Sequence, residues 1–121
     1  MKEIKRGEIY AVGFGTGFGS EQGGTRPSLI LQNDIGNRHS PTTIVAAITG
    51  RKTKAALPTH VIIMAKGLKT ESTVLLEQIR TIDKERLSEY IGSLDSKTLA
   101  AVDRAIVVSL GIKYLKELLN G

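Results

Sequence analysis

Pro41-Thr42-Thr43-Ile44-Val45-Ala46-Ala47-Ile48-Thr49-Gly50 is a short apolar run closed off by a proline and a glycine. Thr43, Ile44, Val45 and Ile48 are β-branched, and the run is too short for a typical helix, so it reads as a strand. Four more runs share that character: Ile9-Tyr10-Ala11-Val12, Leu29-Ile30-Leu31-Gln32, His60-Val61-Ile62-Ile63-Met64 and Thr73-Val74-Leu75-Leu76. Gln78 to Thr81 either continues the last of these or forms its neighbour. The connections carry turn residues: Asn33-Asp34-Ile35-Gly36-Asn37, Leu57-Pro58-Thr59 and Lys66-Gly67-Leu68. None resembles the long amphipathic crossover that parallel strands require, so the pattern predicts an antiparallel, curled sheet or small barrel.

Further along the chain the period changes. Asp95 or Ser96 is placed to cap a helix from about Lys97 to Gly111, with Leu99, Val102, Ile106 and Leu110 recurring at helical spacing as an apolar stripe for the sheet. Gly111 weakens the helix there, and Lys113 to Leu119 could add another turn or two. Leu115, Leu118 and Leu119 then either pack within the monomer or face a partner. No internal repeat or low-complexity linker interrupts the chain, so residues 1–121 read as one domain, long enough for one core.

Composition narrows the classes. Hydrophobic residues at 40% and charged residues at 24% indicate a globular, soluble chain. The absence of cysteine removes disulfides, thiolate zinc sites and thiol catalysis, and fits a reducing cytoplasm. No apolar stretch approaches the roughly 18 residues of a membrane span. The charged segment Met1-Lys2-Glu3-Ile4-Lys5-Arg6 lacks the apolar core of a secretory signal. Seventeen Lys and Arg against twelve Asp and Glu give a net charge of +5. That excess suits an anionic partner, nucleic acid or an acidic protein, or else only solubility. Aromatics, at 4%, are sparse for a sheet that stacks several bases.

Two residues suggest a phosphate site. In Gly23-Gly24-Thr25-Arg26-Pro27-Ser28 the glycines permit a sharp turn, Pro27 suits a strand start or an edge, and Arg26 falls where loop meets strand. Thr49 ends another strand with a hydroxyl. Gly13-Phe14-Gly15-Thr16-Gly17-Phe18-Gly19 is not a phosphate loop, because its glycines alternate and no helix pattern follows. It reads as a loop over a groove, with Phe14 or Phe18 stacking on a base, or with one of them folded into the core. Only two histidines occur, without a cluster of ligand spacing or a G-x-S-x-G, so neither a metal site nor a hydrolase triad is supported. His39 reads as a surface residue; His60, opening a strand, either lines a groove or is structural. In Glu77-Gln78-Ile79-Arg80-Thr81-Ile82-Asp83, Arg80 reads as half of a structural ion pair. Gln78 offers the donors and acceptors that base edges need.

Taken in order, Lys5-Arg6-Gly7-Glu8-Ile9-Tyr10, Gly19-Ser20-Glu21-Gln22-Gly23-Gly24-Thr25-Arg26-Pro27, Gln32-Asn33-Asp34, Ser40-Pro41-Thr42, Ala47-Ile48-Thr49, Leu57-Pro58-Thr59-His60-Val61 and Leu76-Glu77-Gln78-Ile79-Arg80-Thr81-Ile82-Asp83 resemble the MazF/PemK-type toxins of bacterial toxin–antitoxin modules. The resemblance spans about residues 5 to 110. It implies a mainly β fold, a small SH3-like antiparallel barrel with a C-terminal helix, acting as a cytoplasmic homodimer. It implies an endoribonuclease, independent of metal or other cofactor, that cuts single-stranded RNA at a short sequence and so blocks translation. It also implies a cognate antitoxin whose acidic tail covers the RNA groove. By resemblance, Arg26 and Thr49 are the catalytic pair. Ser20, Glu21, Gln22, His60 and Gln78 match RNA-contacting positions, and Phe18 is the aromatic available for stacking. Glu21 is a candidate base, or simply hydrogen-bonds within its loop. The stretch from Gly13 to Gly19 is richer in glycine than the usual family loop. Two alternatives are a same-fold toxin that poisons DNA gyrase and a non-catalytic RNA-binding barrel. The first carries a terminal Trp-Gly-Ile signature, whereas this chain has no tryptophan and ends Leu119-Asn120-Gly121.

Overall fold

The computed structural model describes residues 3–15, 24–50 and 57–113. Strands β1 (Glu8–Gly13), β2 (Thr25–Ile30), β3 (Thr42–Thr49), β4 (His60–Ile63), β5 (Ser72–Asp83) and β6 (Leu87–Ser93) form one sheet in the order β4-β5-β3-β2-β1-β6. Every neighbouring pair is antiparallel. Helix α1 (Asp34–His39) lies between β2 and β3, a 3-10 turn (Lys84–Arg86) joins β5 to β6, and α2 (Ser96–Leu110) follows β6. The expected antiparallel sheet with a C-terminal helix is therefore present. It is open, with β4 and β6 at its edges, and it closes by curling instead of by a ladder.

The curl is visible in its contacts. Between β1 and β5 lie two strands, so on a flat sheet they would stand about 14 Å apart at about 4.8 Å per step. Yet the guanidinium carbon of Arg80 on β5 sits 4.7 Å from the centre of the Phe14 ring, one residue past β1. Tyr10, Val12, Phe14, Ile30, Val45 and Ile82 pack together on this inner face. The outer face belongs to α2. Ile9, Leu29, Ala46, Ile48, Val74 and Leu76 are buried there with Val102 and Ala105 of the helix.

Asp95 caps α2 by accepting from the Thr98 N–H at 2.7 Å. Gly111 ends it with φ 67°, and the Ile112 N–H closes back on the Val107 carbonyl at 3.0 Å. Leu99, Val102 and Ile106 lie on the expected stripe, but Leu110 is 62% exposed and Ala105 takes its place. Ser109 Oγ donates to the Leu76 carbonyl at 2.6 Å, tying the helix to β5.

Three details depart from the sequence reading. The stretch 33–37, read as a turn, opens α1: Asn33 caps it by accepting from Gly36 N–H at 2.7 Å. Strand β6 was not anticipated, because Ser88, Glu89 and Tyr90 are all exposed and give no apolar alternation. Pro27 is neither at a strand start nor on an edge strand, since β2 is central. The Phe14 N–H donates to the Gly24 carbonyl, so in the β1–β2 register even-numbered β2 residues bond towards β1. Pro27 thus aims its donorless nitrogen at β3, where the β2–β3 pairing stops at Ser28. The connection through α1 is fixed by buried Asn37, which donates to the Gln32 carbonyl and accepts from Thr43 Oγ1.

Candidate active site

The β2–β3 register pairs Ser28 with Ala47, Leu29 with Ala46 and Ile30 with Val45. Continued by two residues beyond Ser28, through Pro27, it sets Arg26 opposite Thr49. Directly opposed residues of antiparallel strands project to one face. That face is the inner one, because Ile30 and Val45 share it. Arg26 is half-buried and Thr49 is only 6% exposed, so both side chains are held at the rim of the inner core. Pro27 ends the ladder between them and opens the rim.

The same face continues onto β5 and β4. Thr49 pairs with Thr73, and Thr73 with Ile62; Ala47 pairs with Leu75, and Leu75 with His60. Two strand steps carry His60 about 10 Å from the strand of Thr49. Ile62 is 61% exposed on this surface. A groove of about 630 Å³ runs beside β4, lined by His60, Ile62, Thr73, Arg104 and Val108 among others.

Gln78 is half-buried on β5, at a break in the β3–β5 ladder. Ala46 pairs with Ile79 and Ala47 with Leu75, so Leu76, Glu77 and Gln78 are left out of that ladder as a bulge. The bulge leans towards the start of β4. Leu76 N–H donates to the Thr59 carbonyl at 2.9 Å, and Thr59 Oγ1 donates to Glu77 Oε1 at 2.8 Å. His60 Nε2 lies 2.9 Å from Glu77 Oε2. Burial pushes the Glu77 carboxyl up, but hydrogen bonds from His60, its own backbone and Thr59, with the charge of His60, together hold it below the usual carboxylate range. An ionised carboxylate only accepts, so Nε2 of His60 carries the proton. The His60 side chain is 8% exposed, and its Nδ1 is buried without a hydrogen-bond partner. Glu77 and Thr59 were not foreseen as parts of a site. They stand 17 and one positions from His60 in sequence, and only the β4–β5 register with its bulge joins all three.

Phe14 is the aromatic that folds into the core: it is 8% exposed, with Arg80 over its ring. Arg80 makes no ion pair among the described residues, contrary to the structural pairing expected of it. Phe18, Ser20, Glu21 and Gln22 lie outside the described residues, as does the stretch from Tyr114 to Leu119. Among the described residues no group of three or more acidic or histidine side chains converges to ligate a metal.

Comparison with known proteins adds to this geometry. Residues 5–110 match the family described as PemK-like, MazF-like toxin of type II toxin-antitoxin system. Endoribonuclease EndoA of Bacillus subtilis (strain 168) is 55% identical over 111 residues, which are 90% of this chain and 96% of that protein. Among solved structures, MazF (Form-I) from Deinococcus radiodurans is similar with a TM-score of 0.79 at 26% identity, covering 93% of this chain and 100% of that one. An endoribonuclease from Mycobacterial species, solved in complex with its cognate antitoxin, has a TM-score of 0.77 at 26% identity, covering 92% and 98%.

Proposed function

We propose, for a chain that belongs to the PemK-like, MazF-like toxins of type II toxin–antitoxin systems, a sequence-specific endoribonuclease that cuts single-stranded RNA and thereby inhibits translation. It works as a cytoplasmic homodimer and is silenced by a cognate antitoxin whose acidic segment competes with RNA for a basic surface. The observation that supports the reading is the β2–β3 register from Ser28 to Ile30, whose continuation by two residues brings Arg26 opposite Thr49 on one face. The 55% identity to an endoribonuclease supports the class of reaction.

The chemistry follows from what RNA brings. Its 2′-hydroxyl gives up its proton to water and attacks the adjacent phosphorus in line, and the 5′-oxygen departs and takes up a proton, leaving a 2′,3′-cyclic phosphate and a 5′-hydroxyl. Negative charge builds on the non-bridging oxygens. Arg26 offers a planar fork of donors matched to those oxygens, and Thr49 adds a hydroxyl. A guanidinium with a pKa above about 12 is a poor base at neutral pH, so Arg26 stabilises charge and donates to the leaving oxygen more readily than it accepts a proton. Gln78 offers its donors and acceptors to base edges, and His60, held by Glu77, lines the same surface, with Ser20, Glu21, Gln22 and Phe18 contributing from the loop.

The test is to incubate the protein with a long mixed-sequence RNA in EDTA and map the ends. Cuts at a short word, with cyclic phosphate and 5′-hydroxyl termini, are expected. Abolition of cleavage by EDTA would refute the metal-free mechanism. Arg26→Ala and Thr49→Val should each lower the cleavage rate by on the order of 10²- to 10³-fold, with RNA binding largely kept.

A further inference from the structure

Three arginines neighbour residues 12–14, at the end of β1. Val12 is the register partner of Arg26. The carbonyl of Gly13 accepts from Arg86 Nη1 at 3.1 Å. The ring of Phe14 lies under Arg80, 4.7 Å from its guanidinium carbon. Three consecutive strand residues span only about 7 Å. Val12 and Phe14 project to the same inner face, so Arg80 approaches from the side that Arg26 shares. Arg86 comes in along the backbone between them.

Among the described residues no carboxylate pairs with Arg80 or Arg86. Both are exposed. Arg86 commits one of its five donors to Gly13, and the contact of Arg80 with a ring leaves its N–H groups at the rim of the guanidinium plane. Phe14 is buried, so the platform under Arg80 is fixed by the core, and a stacked arginine gives up less freedom on binding an anion than an unsupported one. Two anchored cations with donors to spare, on neighbouring residues of the chain that runs opposite Arg26, suit the phosphates of a single strand.

We propose that Arg80 and Arg86, on either side of the Gly13–Phe14 backbone, form a phosphate subsite that grips the RNA backbone next to the cut; the assignment rests on the endoribonuclease reading above. Such contacts position the strand and carry no sequence information.

The test uses the full-length Arg26→Ala protein as the binding parent and two unrelated short single-stranded RNAs, titrated by fluorescence anisotropy over a salt series. Each phosphate contact on a single strand contributes about 0.7 to the slope of log affinity against log salt. Arg80→Gln and Arg86→Gln should each reduce that slope by about 0.7, equally for both RNAs. Over a fourfold rise in salt, each variant should then lose about 2.6-fold less affinity than the parent. Arg80→Lys, which keeps the charge, should retain the parent slope and so exclude a folding defect. Slopes equal to the parent's, in a parent that binds RNA, would overturn the subsite. So would an unchanged slope for RNA together with a reduced one for poly-glutamate, which would move both arginines to an acidic protein surface. A wild-type protein that neither binds nor cuts RNA would sink the endoribonuclease reading itself.

Discussion

Glu77 shows how much one carboxylate can depend on its neighbours. Its acid strength comes from His60 on β4, its own backbone and Thr59, which together outweigh the burial acting against it. A carboxyl depressed in the folded state adds stability that is present above its unfolded pKa, about 4.3, and is lost as pH falls through the lower folded value. Thermal melts from about pH 6 down to about pH 3 should therefore show an acid limb in the wild type that Glu77→Gln flattens. Equal acid loss in both proteins would remove the pair from any part in stability. At this scale the sequence was legible where residue type alone carries the chemistry. Arg26 and Thr49 stand out as a guanidinium and a hydroxyl at strand ends. The bond between His60 and Glu77 was not legible, because it spans 17 positions and depends on a bulge that no propensity announces. Nor was the seat of Arg80: an arginine amid acids suggests an ion pair, and only the curl brings Phe14 beneath it.

Helix α2 was readable nearly to the residue, because its cap, its stripe and its terminal glycine agree. Gly111 is the point to probe. It holds φ 67°, and a Cβ there would meet nothing within 4 Å, so a side chain would add backbone strain without a clash. Gly111→Ala should cost about 1–2 kcal/mol by denaturant unfolding, the penalty of a left-handed residue. A change near zero would mean that the last turn is not cooperative with the sheet. The opposite case is β6, whose exposed residues hide its period. It is a strand because β1 offers it an edge, and that is a tertiary fact. Pro27 lies between these cases: it was read as opening a strand or lying on an edge, and it is inside a central strand. It ends a ladder inside the sheet instead of at its margin.

As a whole the molecule is one curled sheet with two cores, the inner face closing on itself and the outer face under α2. Ile62 and Met64 at β4, and Val108 and Leu110 on α2, remain exposed. They supply apolar surface of the kind a partner covers. Sedimentation equilibrium is expected to give twice the 13.1 kDa of one chain, and a concentration-independent monomer would refute the dimer. Short apolar runs joined by turns, with no long crossover between them, predicted the antiparallel topology. The strand order and the depth of the curl depend on contacts between distant segments, which periodicity does not record. One local irregularity then acquires a wider meaning. Because Glu77 and Gln78 stand outside the β3 ladder, exchanging them breaks no pairing with β3, and what Glu77 puts at stake is its hold on His60 and Thr59. Substitution at either position is expected to leave the β3–β5 pairing on both sides of the bulge in place.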